Sequence, residues 1–236
     1  MATEPGRLSP RLEAIAGLIP AGQMVADVGT DHGLLPIALT RRGSVKGAIA
    51  IDRRAAPLAL ATANVAAAGL SERIQLRLGD GMAALKPGEA AVAIMAGLGW
   101  RTICRLIALA DADGLGLRWL VLQPERDPWL LRAFLAEQGW RIEDEALVQD
   151  GGRLYTAIRA TRDDDEGWWR RWSVADRLLG RPNLARGGPA LAAQIAHHRT
   201  WIAAEVAALQ RHDGAAAVLA ERLTWLRALE ELTALP

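Results

Sequence analysis

Three ionisable residues stand at the mouth of one apolar run. From Val25 to Leu39 the chain reads VADVGTDHGLLPIAL. It begins as a buried strand would, crowds Asp27, Asp31 and His32 around Gly29 and Gly33, and then turns apolar again. In an open α/β sheet, ligands bind beyond the carboxyl ends of the strands. A dinucleotide fold carries G-x-G-x-x-G at that place, so that backbone can approach a pyrophosphate. Here Asp31 takes the position of the second glycine. A carboxylate repels a pyrophosphate and attracts a cation, so the sign of charge argues against NAD or ATP.

Two more acids and two glycines extend the pattern. Asp52 ends a second apolar run, 23 residues after Gly29, where an acid accepts hydrogen bonds from ribose hydroxyls. Asp80, in Gly79-Asp80-Gly81, follows a third run and is placed to accept from an adenine amino group. Gly97 and Gly99, in MAGLGW, follow a fourth and let backbone pass close to a ligand. Any one of these residues alone reads more simply as a turn residue. Together they mark four successive strand ends. S-adenosylmethionine has a sulfonium, an ammonium and no phosphate, and it suits this set better than a nucleotide polyphosphate.

The elements that must position these residues are legible as alternation. Ser9-Pro10 is a helix start, a serine cap with proline at the first helical position. Leu12, Ile15, Ala16 and Ile19 then share a face. Short apolar runs over 24–28, 47–51, 74–78, 90–95 and 119–122 predict strands covered on both faces. Helices are predicted between them, near 35–42, 55–68, 101–110 and 128–138. This is the βαβ pattern of a doubly wound parallel sheet. Two extended runs around Asp150-Gly151-Gly152 predict a hairpin, which adds an antiparallel strand. Seven strands, mostly parallel with the last antiparallel, form the Rossmann-like sheet of class I methyltransferases.

The character changes at residue 162. TRDDDEGWWRRW reads as a charged hinge, and helical stretches follow over 189–211 and 215–232, separated by His212-Asp213-Gly214. Leu191, Ile195, His198, Ile202, Val206 and Leu209 recur at three- and four-residue steps, which predicts a coiled-coil-like helical hairpin. The expected domains are therefore 1–161, an α/β domain, and 162–236, a helical hairpin. Trp168-Trp169-Arg170-Arg171-Trp172 mixes aromatics with arginine, as RNA-stacking surfaces do, and reads more simply as an anchor of the hinge.

Bulk composition narrows the classes. The 236 residues carry a formal net charge of +1, so nucleic-acid binding would need a local basic patch. Of 28 basic residues 26 are arginine, in a chain also rich in alanine and glycine, which reads as compositional bias. Cys104 is the single cysteine, which excludes an intramolecular disulfide and a multi-cysteine metal cluster. The histidines lack metal-ligand spacing, and no metal is expected. No run reaches transmembrane length and the first residues do not read as a signal peptide, so the expectation is a cytoplasmic protein without membrane association, a monomer by default.

The pieces LSPRLEAIAGLIP, ADVGTDHGLLPIAL, GDGM, AGLG, LQPE and DGGRLYTAI occur in this order. Over 8–160 the chain resembles the bacterial tRNA (adenine-22-N1)-methyltransferase family known as TrmK, and the later helical hairpin resembles that family's coiled-coil domain in pattern. The resemblance implies methyl transfer from S-adenosylmethionine to N1 of an adenine in tRNA. It implies that Asp27, Gly29, Thr30, Asp52, Arg53, Asp80, Gly81, Ala96 and Gly97 bind the cofactor. Asp31 and His32 would sit near the methyl group.

Three positions depart from the family's usual pattern, all on the expected target side. They are Leu34 where an aromatic is common, Trp100 in Ala-Gly-Leu-Gly-Trp, and Glu125 where Gln-Pro-Asn is usual. These three are the expected substrate-binding residues, with Trp100 as a substitute stacking surface for the adenine. Asp31 would favour the charge developing on the base, His32 would orient the base or take a proton, and Gln123 would read the adenine edge. Asp31 could instead hold the cofactor, His32 could close the turn, and Gln123 could shape its loop. Two other readings stay open at this point: a class I methyltransferase with another RNA position or a small molecule as target, and a non-catalytic RNA- or partner-binding module on the same scaffold.

Overall fold

The computed structural model describes residues 8–162, 167–211 and 215–234. They form two compact units, divided at 166/167. The expected charged hinge at 163–166 and the His212-Asp213-Gly214 turn lie outside the described residues.

The first unit opens with α1 (Pro10–Leu18), whose N-cap Ser9 side chain accepts from the Leu12 N–H, as the Ser-Pro start predicts. Then β1 (Met24–Val28), α2 (Leu34–Arg41), β2 (Gly47–Asp52), α3 (Ala55–Ala67) and β3 (Ile74–Leu78) follow. After a 3₁₀ turn at Gly81–Ala84 come β4 (Val92–Leu98), α4 (Trp100–Ala108), β5 (Trp119–Pro124) and α5 (Pro128–Glu137). The hairpin β6 (Trp140–Asp150) and β7 (Arg153–Arg162) closes the unit.

The seven strands lie in the order β3-β2-β1-β4-β5-β7-β6. β1 to β5 pair in parallel, and β7 runs antiparallel between β5 and β6. The last strand in sequence is thus interior in space, paired with both β5 and the edge strand β6. The strand order reverses between β1 and β4, so their carboxyl ends face a crevice. β2 is buried along its whole length and β1 along nearly all of it, as uninterrupted apolar runs covered by helices should be.

Two elements run further than their apolar patterns suggest. β4 extends to Leu98 and β5 to Pro124, carrying Ala96, Gly97 and Gln123 inside the sheet. Between Ala96 and Leu98 the β4–β5 register shifts by one residue, a bulge made possible by Gly97 at φ +69°.

Under the hairpin, Arg132 on α5 donates through Nε to Glu145 Oε1 on β6 at 2.7 Å, both side chains fully buried. A buried charge left without its partner is costly. Glu145→Gln is therefore expected to destabilise the fold by about 3 kcal/mol. This would appear as a lower urea midpoint with unchanged slope, without loss of cofactor affinity, since neither residue lines the pocket described below.

The second unit holds a 3₁₀ turn (Trp169–Arg171), α6 (Val174–Leu179), α7 (Arg181–Arg186), α8 (Pro189–Leu209) and α9 (Ala216–Ala234). α6 and α7 were not anticipated. Yet α6 carries a capping box in plain view: Ser173 accepts from the Asp176 N–H while Asp176 accepts from the Ser173 N–H. On α8, Leu191, His198, Ile202 and Val206 of the expected stripe are buried. Arg222 on α9 pairs with Glu205 on α8 at 2.8 Å and stacks 4.1 Å from the Trp225 ring. Trp168 and Trp172 are buried with ring centroids 5.1 Å apart, and only Trp169 of that group stays half-exposed. Two of the three tryptophans are thus buried and do not present an open stacking platform. No described helix is long and apolar enough to cross a membrane.

Candidate active site

The loop after β1 is pinned at both ends. The Gly29 and Thr30 N–H groups donate to Ile51 O on β2, and the Gly33 N–H closes the turn on Thr30 O. Asn64 of α3 holds the tip through His32 O at 2.9 Å. Asp31 sits at that tip with φ +51°, a left-handed conformation that few residues other than glycine adopt without cost. Its carboxylate lies 3.2 Å from His32 Nε2 and 3.9 Å from Arg54 Nη2, with about half of the side chain open to solvent.

This loop forms one wall of a cavity of about 940 Å³ at the carboxyl ends of β1, β2, β3 and β4. Asp27, Gly29, Thr30, Asp31, His32, Leu34, Asp52, Arg53, Asp80, Gly81, Ala96, Gly97 and Glu125 all line it. Residues expected on separate strand ends thus converge on one space of a size that holds a nucleoside-sized ligand.

The acids differ in environment. Asp27 is 5% exposed, and burial pushes its carboxyl up to about 6, helped by the nearby Asp52 carboxylate and opposed by the Thr30 hydroxyl. Asp52 is also buried, with Oδ1 accepting from the Arg54 N–H at 2.9 Å. Asp80 is exposed, and the Arg105 guanidinium at 3.2 Å holds its carboxyl below the usual range. A buried carboxylate with a raised pKa is poised for a cationic partner, and acceptors at successive strand ends suit ribose hydroxyls and an adenine amino group. The donor set therefore fits S-adenosylmethionine and disfavours a polyphosphate.

Two expected residues are placed differently from the rest. Gln123 is fully buried and does not line the cavity. Its Oε1 accepts from Arg11 Nη1 at 2.7 Å and from the Gly97 N–H at 3.1 Å, while Nε2 donates to Pro124 O. The amide is engaged at both ends, so Gln123 shapes the site from behind. Trp100 opens α4, outside the cavity wall, with the Arg101 guanidinium 4.6 Å over its ring. Leu34, half-exposed on the wall, and Leu98 are among the apolar residues that line the cavity.

The sequence reading missed Arg11, Leu12, Leu98, Thr102, Arg105 and Leu106 on this wall. Arg105 had a signal, as the basic residue one turn into the helix after the glycine loop. Arg11 had none, because α1 reaches the site only through long-range packing.

A family model described as a methyltransferase domain matches residues 8–158. The tRNA (adenine(22)-N(1))-methyltransferase of Bacillus subtilis is 31% identical over 180 residues, covering 76% of each chain. The crystal structure of the B. subtilis m1A22 tRNA methyltransferase TrmK superposes with a TM-score of 0.86 at 25% identity, covering 96% of this chain and 99% of that one. A Streptococcus pneumoniae protein, Sp1610, whose crystal structure is in complex with S-adenosyl-L-methionine, gives a TM-score of 0.78 at 29% identity over 96% and 99% of the two chains.

Proposed function

Since the chain belongs to the bacterial tRNA (adenine-22-N1)-methyltransferase family known as TrmK, we infer that it transfers a methyl group from S-adenosylmethionine to N1 of adenine 22 in tRNA. The observation that carries this reading is the convergence of Asp27, Asp31, Asp52 and Asp80 on one cavity at the sheet's switch point.

When bound, S-adenosylmethionine supplies an electrophilic methyl on a positive sulfur. Asp27 takes the ammonium end, Asp52 accepts from the ribose hydroxyls and Asp80 from the adenine amino group. Gly29 and Gly97 let backbone come close. Adenine N1 has its own lone pair, so the protein needs to position rather than deprotonate it. Asp31, at the solvent-facing tip, favours the positive charge that develops on the base. His32 beside it steers the base edge. Leu34 and Leu98 give the base an apolar seat.

An adenine within folded tRNA must leave its stack, and contacts elsewhere on the tRNA must offset that cost. The helical unit is suited to this role: residues 167–236 carry nine arginines against six acids. The protein acts on this reading as a monomer in the cytoplasm.

The test is methyl transfer to unmodified bulk tRNA, followed by nucleoside digestion and mass spectrometry. N1-methyladenosine is the expected product. A different methylated nucleoside would overturn the adenine-N1 assignment and leave only the cofactor chemistry standing.

A further inference from the structure

The acceptor side of the cavity is held by a network that the strand-end acids do not include. Arg11 projects from α1 onto the β4–β5 end of the sheet. Its backbone N–H donates to Asp150 Oδ2 at 3.2 Å, and its guanidinium lies 5.5 Å from the centre of the Tyr155 ring. Helix and side chain are thus both tied to the β6–β7 hairpin. From there Nη1 donates to Gln123 Oε1, the same oxygen that takes the Gly97 N–H of the β4 bulge. Nη1 also stands 3.9 Å from Glu125 Oε1. A Cβ on Gly97 would meet Arg11 Nη1 at 3.2 Å and Glu125 Oε1 at 3.6 Å, so the glycine clears the space in which these two side chains meet. The Glu125 N–H, in turn, is fixed on Leu98 O at 2.9 Å.

Glu125 is therefore a partly exposed carboxylate on the cavity wall, with its backbone clamped to β4 and its side chain drawn towards a guanidinium that is itself fixed. A carboxylate only accepts hydrogen bonds. Beside the six-position of a purine it is satisfied by the amino group of adenine and repelled by the carbonyl of a 6-oxopurine. The same placement helps the reaction. As N1 forms its bond to the methyl carbon, the carbon–sulfur bond breaks and its electron pair stays on sulfur. The positive charge then spreads over N1, C6 and the exocyclic nitrogen, next to the carboxylate.

We propose that Glu125 is the specificity residue that accepts from the exocyclic amino group of the target adenine, and that Arg11 is the positioning residue that fixes it. This rests on the adenine-N1 reading above.

The test compares two tRNA substrates, one with adenosine at the target position and one with purine riboside, which keeps N1 and lacks the amino group. The readout is the ratio of their kcat/KM values for wild type, Glu125→Leu, Arg11→Ala and Arg11→Lys. Intrinsic differences in N1 basicity are the same for every variant and cancel. The ratio is expected to fall about 10-fold in Glu125→Leu and several-fold in Arg11→Ala, with part restored by Arg11→Lys and the cofactor Kd within about twofold. A ratio unchanged in Glu125→Leu overturns the role of Glu125. A ratio unchanged in Arg11→Ala, or a loss confined to cofactor Kd, overturns the role of Arg11. Failure of wild type to make N1-methyladenosine would instead strike the underlying reading, so the two failures are distinct.

Discussion

Asp27→Asn is expected to make the ligand-free protein more stable and the cofactor complex much weaker. The carboxyl of Asp27 is buried at the end of β1, and burial raises its pKa from 3.8 to about 6. A raised acid pKa means that the folded protein holds the proton more tightly than the unfolded chain does. The contribution of Asp27 to stability is then highest below pH 3.8, falls as the pH rises to about 6, and stays low above it. At pH 7 the penalty is on the order of 3 kcal/mol, from a shift of about two pH units. Asparagine removes the charge and keeps the shape, so the unfolding midpoint at pH 7 should rise on the order of 5 °C. Calorimetry of the cofactor should show Kd raised at least ~10-fold, because a charge-assisted hydrogen bond to the ammonium is lost.

The same linkage makes a prediction for the wild-type protein. A cation at Asp27 selects its ionised form. Cofactor Kd should be flat above about pH 7 and rise towards tenfold per pH unit below about 6. In Asp27→Asn this pH dependence should disappear. A wild-type Kd independent of pH between 5 and 7 would mean that Asp27 does not face the ammonium. The expected pH dependence would make Asp27 a group that costs the ligand-free fold stability and is completed by the ligand, as buried ionisable groups at functional sites commonly are.

Why Asp27, Asp52 and Asp80 were legible and Arg11 was not has a physical reason. The acids sit at fixed places in a repeating βα unit, where each strand's apolar run ends and a turn begins. Position along the chain is then position in the site. Asp31 stood out because it replaces a glycine whose purpose is known. β1, β2, β4 and β5 were legible because most of their residues are buried and so read as continuous apolar runs, whereas the edge strand β3, IQLRL, is buried only at Ile74 and keeps polar residues between its apolar ones. By contrast, Arg11 touches Gln123 across 112 residues of sequence. Nothing local marks that contact. Gln123 was expected to read the adenine edge or to shape its loop; its burial, and hence the engagement of its whole amide, depends on β5 running two residues further than its apolar stretch. The helices α6 and α7 escaped because six-residue helices show too little periodicity, although the Ser173–Asp176 box was there to be read.

Asp31 poses the sharpest question of mechanism, since one carboxylate near a sulfonium and a base can serve either. Its left-handed backbone separates the possibilities experimentally. Asparagine tolerates φ near +51° and keeps the side-chain shape, so Asp31→Asn removes charge alone. Alanine adds the conformational cost, about 1 kcal/mol of stability. If the carboxylate favours charge developing on adenine, Asp31→Asn should lower kcat on the order of 100-fold in single-turnover methyl transfer, with cofactor Kd changed less than about threefold. If it holds the cofactor instead, Kd would rise and kcat at saturation would survive. Exposure favours the first outcome. The carboxylate that faces the ammonium should be dry, as Asp27 is, whereas a group that meets an incoming base must stay open until the base arrives. Asp31 is the open one, its Oδ1 within 3.9 Å of Arg54 and its Oδ2 beside His32. The Arg54 side chain is itself largely exposed, so the neutral base can approach the carboxylate while His32 steers its edge, and the positive charge develops only as N1 takes the methyl.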